Sequence, residues 1–331
     1  MNDDRFEIPV VLFTFKRFDT VERIIEVLKK ARVSKIYLFS DGPRNEAEKE
    51  QLSLVRNKIV QLIDWDCELI KKFNNQNQGV FNQIGLGALE VFKTEEKAIF
   101  IEDDNLPEIS FFNYCKNLLD KYEREEQIVW ICGTNYESES KYLDSDYIFT
   151  KHMLPCGWAS WSNKFSKYYL TSFSILNDRK NIKKIKKSYK SKWLYIQQMR
   201  NFKSEKYREE HGTRFASWDF HMALSIRFFD LYGIAPKYNQ IRNIGIDDFS
   251  THGGTSVNKP NTAKFCEIPT LVLPDNLVSP ERIEINDTFE KNITKIVLVP
   301  LYIRLLFPFI TLIKKVFKLY PDKSFISLFK K

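Results

Sequence analysis

No C-x-x-C pair occurs among the five cysteines, Cys67, Cys115, Cys132, Cys156 and Cys266. Zinc sites and dithiol redox motifs of the usual spacing are therefore excluded. Five widely spaced cysteines also make a poor disulfide framework, and buried, reduced thiols in a cytosolic protein are expected. Glycine is sparse, 11 in 331 residues, and no glycine-rich phosphate loop is present. There are four histidines, no internal repeat and no low-complexity tract. The first seven residues are polar and acidic, without the basic start and apolar core of a signal peptide, so export by that route is not expected.

What is present is apolar and aromatic, 43% and 15% of the chain, which is too much for disorder and suits one large or two modest domains. The net charge of +8 is not spread evenly. Residues 291–331 hold nine Lys or Arg and a single acid, Asp322, whereas the preceding 290 residues hold 42 basic and 42 acidic residues. A neutral body gives nucleic acid no broad electrostatic handle, so no nucleic-acid partner is expected. A second basic cluster, from Arg179 to Lys192, reads either as a solvated helix face or as a surface near anionic lipid.

From Ile8 to about Gly133, short apolar runs alternate with amphipathic stretches, the pattern of β-α-β units and a mainly parallel sheet flanked by helices. The runs are 8–15, 35–40, 67–73, 98–101 and 128–132; Val21, Ile24, Ile25 and Leu28, then Leu52, Val55, Ile59, Leu62 and Ile63, recur at helical spacing. Residues 80–92 and a stretch near 217–230 also read as helices.

Two runs end in acidic turns, Ser40-Asp41-Gly42-Pro43 and Ile101-Glu102-Asp103-Asp104-Asn105. In open α/β sheets ligands bind beyond the carboxyl ends of strands, so these acids would face one crevice. Glu102, Asp103 and Asp104 crowd three carboxylates together with no basic residue adjacent in sequence. Such oxygens suit Mg²⁺ or Mn²⁺ with a diphosphate completing the shell, although an acidic turn also simply caps a helix. Asp41 can accept from a base or ribose, or initiate a turn. Arg17, after the first run, can approach a phosphate or begin a helix on the surface. Asn77-Gln78-Gly79 opens a helix and offers amides near the same edge, or is an ordinary cap.

Together with Val11-Leu12-Phe13-Thr14-Phe15-Lys16-Arg17, Gly157-Trp158-Ala159-Ser160-Trp161, Trp218-Asp219 and Asn243-Ile244-Gly245 through Thr251-His252-Gly253, these motifs resemble the GT-A fold glycosyltransferases. The likeness is to bacterial family 2 type enzymes and, more distantly, to N-acetylglucosaminyltransferase I, over about residues 8 to 255. The resemblance implies a GT-A, Rossmann-like α/β fold, with residues 1–135 as the nucleotide-sugar-binding half and 136–267 as the acceptor and catalytic half. It makes Glu102-Asp103-Asp104 the Asp-x-Asp-type element, with Asp104 as metal ligand, Asp103 near the ribose and Glu at the first position. Asp41 would read uracil and Arg17 would lie near the nucleotide. Asp219 would stand where inverting relatives hold the catalytic base; its other reading is a first-turn acid favoured by the helix dipole. Asp247 and Asp248 compete for the base role. His252 would close over the diphosphate or join the metal site, or be a plain loop histidine. Gly157 would let backbone approach a sugar, with Trp158 or Trp161 against its apolar face or in the core.

Residues 268–290 connect the body to the tail, 291–331. There Ile296 to Ile313 is apolar but for Arg304, and Pro300 and Pro308 interrupt it. A simple span needs about 20 apolar residues without a central charge. An amphipathic helix lying on an anionic membrane surface is expected instead, with a docked C-terminal helix as the alternative. The resulting expectation is an inverting, Mn²⁺- or Mg²⁺-dependent transferase that moves a sugar from a nucleotide-sugar donor, UDP-linked, to a lipid-linked glycan. It would work peripherally at the cytoplasmic face of the inner membrane, in surface polysaccharide or glycan assembly. The alternatives are a metal-dependent nucleotidyl or sugar-phosphate transferase and a non-catalytic nucleotide-sugar-binding membrane scaffold.

Overall fold

Continuous apolar runs become strands buried on both faces, because a mainly parallel sheet is covered by helices on each side. The computed structural model describes residues 5–246 and 264–316. The elements run β1 (Val10–Thr14), α1 (Phe18–Lys30), β2 (Lys35–Ser40), α2 (Glu46–Leu62), β3 (Glu68–Phe73), a π-helix (Phe81–Leu86) continuing into α3 (Gly87–Val91), β4 (Lys97–Glu102), β5 (Asn105–Pro107), α4 (Ser110–Lys121) and β6 (Ile128–Cys132). They continue with β7 (Tyr147–Thr150), β8 (Trp158–Trp161), α5 (Ser162–Tyr168), a 3₁₀ turn (Ser174–Asn177), α6 (Arg179–Lys187), α7 (Lys192–Glu210), α8 (Asp219–Phe229), β9 (Tyr232–Pro236) and β10 (Ile241–Asn243). Towards the C-terminus lie α9 (Asp287–Val297) and α10 (Leu301–Val316).

Among the described residues the main sheet has eight strands in the order β3-β2-β1-β4-β8-β6-β9-β7. The first four are parallel; β8 lies antiparallel between β4 and β6, and β7 runs antiparallel to β9. The 135/136 division thus falls between two strands of one continuous sheet. Alternation along β1 sends Val10 and Leu12 into a core under α1, α2 and α4, and Val11 and Phe13 into a second core under α3, α5, α8 and α9. A smaller third core, around Phe173, Ile185 and Phe202, joins α6, α7 and α8.

The 80–92 stretch is helical, but its first part is a π-helix rather than one regular α-helix. The Lys-rich stretch forms α6, which buries only Ile185 and leaves its lysines in solvent. All five cysteines are free, and Cys115, Cys132 and Cys266 are buried; Cys67 and Cys156 are half-buried, a correction to the expected uniform burial. No helix of the described residues is long and apolar enough to cross a membrane.

Candidate active site

The carboxyl ends of β1, β2 and β4 define the cleft. From β1 the chain passes to β2 and β3 on one side, while β4 lies on the other, so the gap between β1 and β4 is a topological switch point, where open α/β sheets bind ligands. The cleft has two compartments. One, of about 570 Å³, is lined by Thr14, Phe15, Lys16, Arg17, Asp41, Arg44, Asn77 and Gln83. The other, of about 370 Å³, is lined by Asp104, Asn105, Tyr136, Cys156, Ser217, Asp219 and Asn243. Arg17, Val80, Glu102 and Asp103 border both.

The crowded carboxylates do have a cation, supplied across the switch point rather than along the chain. Arg17 Nη1 lies 2.8 Å from Asp103 Oδ1 and 3.3 Å from Asp104 Oδ2. Asp103 also accepts from the Phe15 backbone N–H at 3.0 Å, so it fastens the turn after β1 to the end of β4. Asp104 sits beside Gly245, where a Cβ would come within 2.4 Å of Asp104 Oδ2; only glycine admits that approach.

Glu102 ends β4 opposite Phe13 of β1. Desolvation pushes its carboxyl well above the usual range, the charges of Asp104, Asp103 and Asp219 push it further, and a hydrogen bond with Trp218 opposes them. The folded state therefore holds this proton more tightly than the unfolded chain does. Stability should be greatest below the ordinary carboxyl range and fall as pH climbs towards the raised value. Glu102→Gln is expected to match wild type near pH 4 and to gain a few degrees at neutral pH, as ~1 kcal/mol would give. Thermal melts across pH in metal-free buffer check this; a gap that does not widen with pH would refute it.

Asp219 opens α8 in the smaller compartment. The Ser217 hydroxyl donates to Asp219 Oδ1 while Ser217 Oγ accepts from Phe220 N–H at 3.2 Å, so one serine both caps the helix and fixes the carboxylate.

Several expected contacts take other roles. Asp41 accepts from Gly42 N–H (2.8 Å), Gln78 N–H (2.7 Å), Gly79 N–H (3.2 Å) and Asn77 Nδ2 (2.8 Å). Its acceptor sites build the 77–79 turn, while Asp41 still lines the larger compartment. Asn77 in turn accepts from Arg214 Nη1 at 3.0 Å and serves as wall and brace. Trp158 is 1% exposed and stacked between Phe100 (3.9 Å) and Trp130 (4.2 Å). It is core rather than a sugar platform, because β8 is an interior strand. Gly157 has φ +58° and a Cβ there would meet Ile241 Cδ1 at 2.4 Å, so backbone form and packing require the glycine, not a sugar. Asp247, Asp248 and His252 lie outside the described residues.

Sequence reasoning missed Gln83, Asn105, Cys156 and Arg214. Gln83 is 6% exposed, and its amide oxygen takes a hydrogen bond from Asn74 at 2.7 Å while its buried Nε2 has no partner among the described residues. Asn105 is 1% exposed with Oδ1 equally unpartnered. Nothing in the local sequence marks Gln83, and Asn105 stands unremarked in the acidic turn; the fold brings both to the cleft, while Arg214 braces its wall through Asn77.

As donors for a cation, Asp104 and its neighbours are of the right kind, hard carboxylate oxygens. Among the described residues no group of three or more His, Cys, Asp or Glu is arranged to hold a metal. Asp103 is engaged by Phe15 and Arg17, and burial raises the Glu102 carboxyl above its usual range. A cation here fits as one held by Asp104 and completed by a ligand's phosphates.

The fold and cleft define an open α/β protein with an acidic, arginine-bridged crevice at the switch point. No family model and no curated protein matches the sequence. Solved structures overlap it at low similarity. An apo UDP-glucose pyrophosphorylase shares 11% identity at a TM-score of 0.36, covering 72% of this chain and 93% of that one. HddC from Yersinia pseudotuberculosis shares 10% at 0.31, covering 49% and 80%. The glycosyltransferase GlyE from Streptococcus pneumoniae shares 14% at 0.27, covering 49% and 36%. Overlaps of this size leave function to the site itself.

Proposed function

We propose that the protein is an inverting, metal-dependent glycosyltransferase that takes a sugar from a nucleoside diphosphate donor, UDP-linked, and passes it to a lipid-linked glycan acceptor at the cytoplasmic face of the inner membrane, in surface polysaccharide or glycan assembly. The observation that carries this reading is the pair Asp104 and Asp219 in one compartment that shares the wall of Arg17, Glu102 and Asp103 with the larger one. Nucleotide occupies the larger compartment between Phe15 and Gln83, and its diphosphate lies towards Lys16, Arg17 and Arg44. The sugar projects past Glu102 into the smaller compartment.

Asp219 takes the proton from the acceptor hydroxyl as that oxygen attacks the anomeric carbon. The bond from that carbon to the diphosphate oxygen breaks on the opposite face, and the electron pair leaves with the nucleoside diphosphate. A divalent cation held by Asp104 would offset charge on that leaving group. Arg17, fixed between Asp103 and Asp104, adds a second positive centre at the same point.

The test is a nucleotide-sugar panel with Mn²⁺, scored for product. Nucleoside diphosphate release supports glycosyl transfer, whereas pyrophosphate or nucleoside monophosphate assigns the cleft to nucleotidyl or sugar-phosphate transfer. Binding without turnover across a broad acceptor panel assigns it to a scaffold. Asp104→Asn is expected to weaken Mn²⁺-dependent donor binding about 10-fold to 100-fold, read by calorimetry. Undiminished binding in chelator would remove the cation from the mechanism.

A further inference from the structure

α10 carries an apolar stripe with no protein against it among the described residues. Leu301, Tyr302, Leu305, Leu306 and Phe309 are between 48% and 67% exposed, and their spacing puts them on one face of the helix. The opposite face is held by α7. Arg304 lies over the Trp193 ring at 5.2 Å; Arg200 lies over Phe307 at 4.1 Å and donates to its carbonyl at 3.3 Å. The one charge inside the apolar run is thus engaged by α7 and does not interrupt the stripe. The helix is also tied to the body. Gln197 bonds Val297 and Val299 at 2.9 and 3.0 Å, and α9 buries Phe289 and Ile293 completely.

We propose that this stripe docks the protein in the plane of an anionic lipid bilayer. Charge selects the occupant: residues 291–331 hold nine Lys or Arg and one acid. A second copy would bring that same positive charge against itself. An anionic bilayer offers hydrocarbon to the stripe and opposite charge to its flanks at once. Tyr302 within the stripe, and Trp193, 36% exposed beside Arg304, carry rings that have one apolar body and one polar edge, the chemistry of the head-group layer. Because α9 and α10 are fastened to α7 and the sheet, docking would also fix the body's orientation on the membrane. This surface stands whether or not the cleft transfers sugar.

Vesicle flotation of the full chain tests it, using phosphatidylcholine with about one-third phosphatidylglycerol against phosphatidylcholine alone. Binding to the anionic vesicles is expected to be at least about tenfold stronger. The triple variant Leu305→Ser, Leu306→Ser, Phe309→Ser should lower anionic partitioning at least about 30-fold. These positions are exposed, so its melting temperature should match wild type. The single variant Phe309→Trp provides a second reading, with its emission moving to the blue when anionic vesicles are added. Equal partitioning of the triple variant and wild type would overturn the proposal, as would a Phe309→Trp emission that vesicles leave unmoved. So would a wild-type dimer that the triple variant dissolves, without vesicle binding by either; that result assigns the stripe to a second copy.

Discussion

Asp219→Asn is expected to keep nucleotide-sugar binding within about twofold and to lower turnover about 10²-fold to 10⁴-fold, the range a positioned general base supplies. The substitution keeps size and one oxygen, so the Ser217 hydroxyl retains its acceptor and the cap on Phe220 N–H is undisturbed. Removing a charge that pushes Glu102 upward should leave the fold as stable or slightly more so. A purely structural acid in the first turn of α8 predicts the opposite pattern: about 0.3–1 kcal/mol of lost stability and unchanged turnover. Single-turnover kinetics beside thermal melts separate the two. Turnover near the native value would take Asp219 out of the chemistry.

The sheet half before residue 133 was legible because most of its strands are buried apolar runs, which need no partner to be recognised; β2 and β6 match their expected limits and β1, β3 and β4 lie within a residue or two. The second half was not. β7, β8 and β10 there, like β5 before them, are three or four residues long, and the insertion of β8 between β4 and β6 depends on partners far along the chain. Trp158 looked like a pocket residue for this reason: its aromatic neighbourhood is Phe100 and Trp130, neither adjacent in sequence. Strand ends told where acids gather, and Glu102, Asp103, Asp104 and Asp219 do border one cleft. Sequence could not tell which acids are already engaged. Asp41 holds the 77–79 turn from across the chain, and Arg17 reaches Asp103 across 86 positions.

Glu290→Ala is expected to destabilise the protein by about 3–5 kcal/mol, because it removes one member of a buried ionic group and leaves the other. Glu290, in the first turn of α9, accepts from Thr150 Oγ1 at 2.5 Å and Lys151 N–H at 2.7 Å, and lies 3.9 Å from Arg227 Nη2 and 3.7 Å from His152 Nε2. Arg227 is 3% exposed; Nη1 donates to Ser188 O at 2.8 Å, and the guanidinium lies 4.2 Å over Tyr189. Among the described residues its Nε and Nη2 have no hydrogen-bond partner, so Glu290 is the counter-charge that makes its burial tolerable. Burial pushes the Glu290 carboxyl up, but His152, Arg227 and the two donors hold it below the usual range. Burial holds His152 itself below its usual range, which leaves Arg227 as the standing positive charge at neutral pH. A lowered carboxyl value contributes stability that is present above the ordinary carboxyl range and lost as pH falls through the folded value. The gap between wild type and Glu290→Ala should therefore be full at neutral pH and shrink in acid. Glu290→Gln, which still accepts from Thr150 and Lys151, should fall between them. Urea unfolding at two pH values reads all three chains. A neutral-pH loss under about 1 kcal/mol would mean that Arg227 is compensated elsewhere and that α9 is held by Phe289 and Ile293 alone.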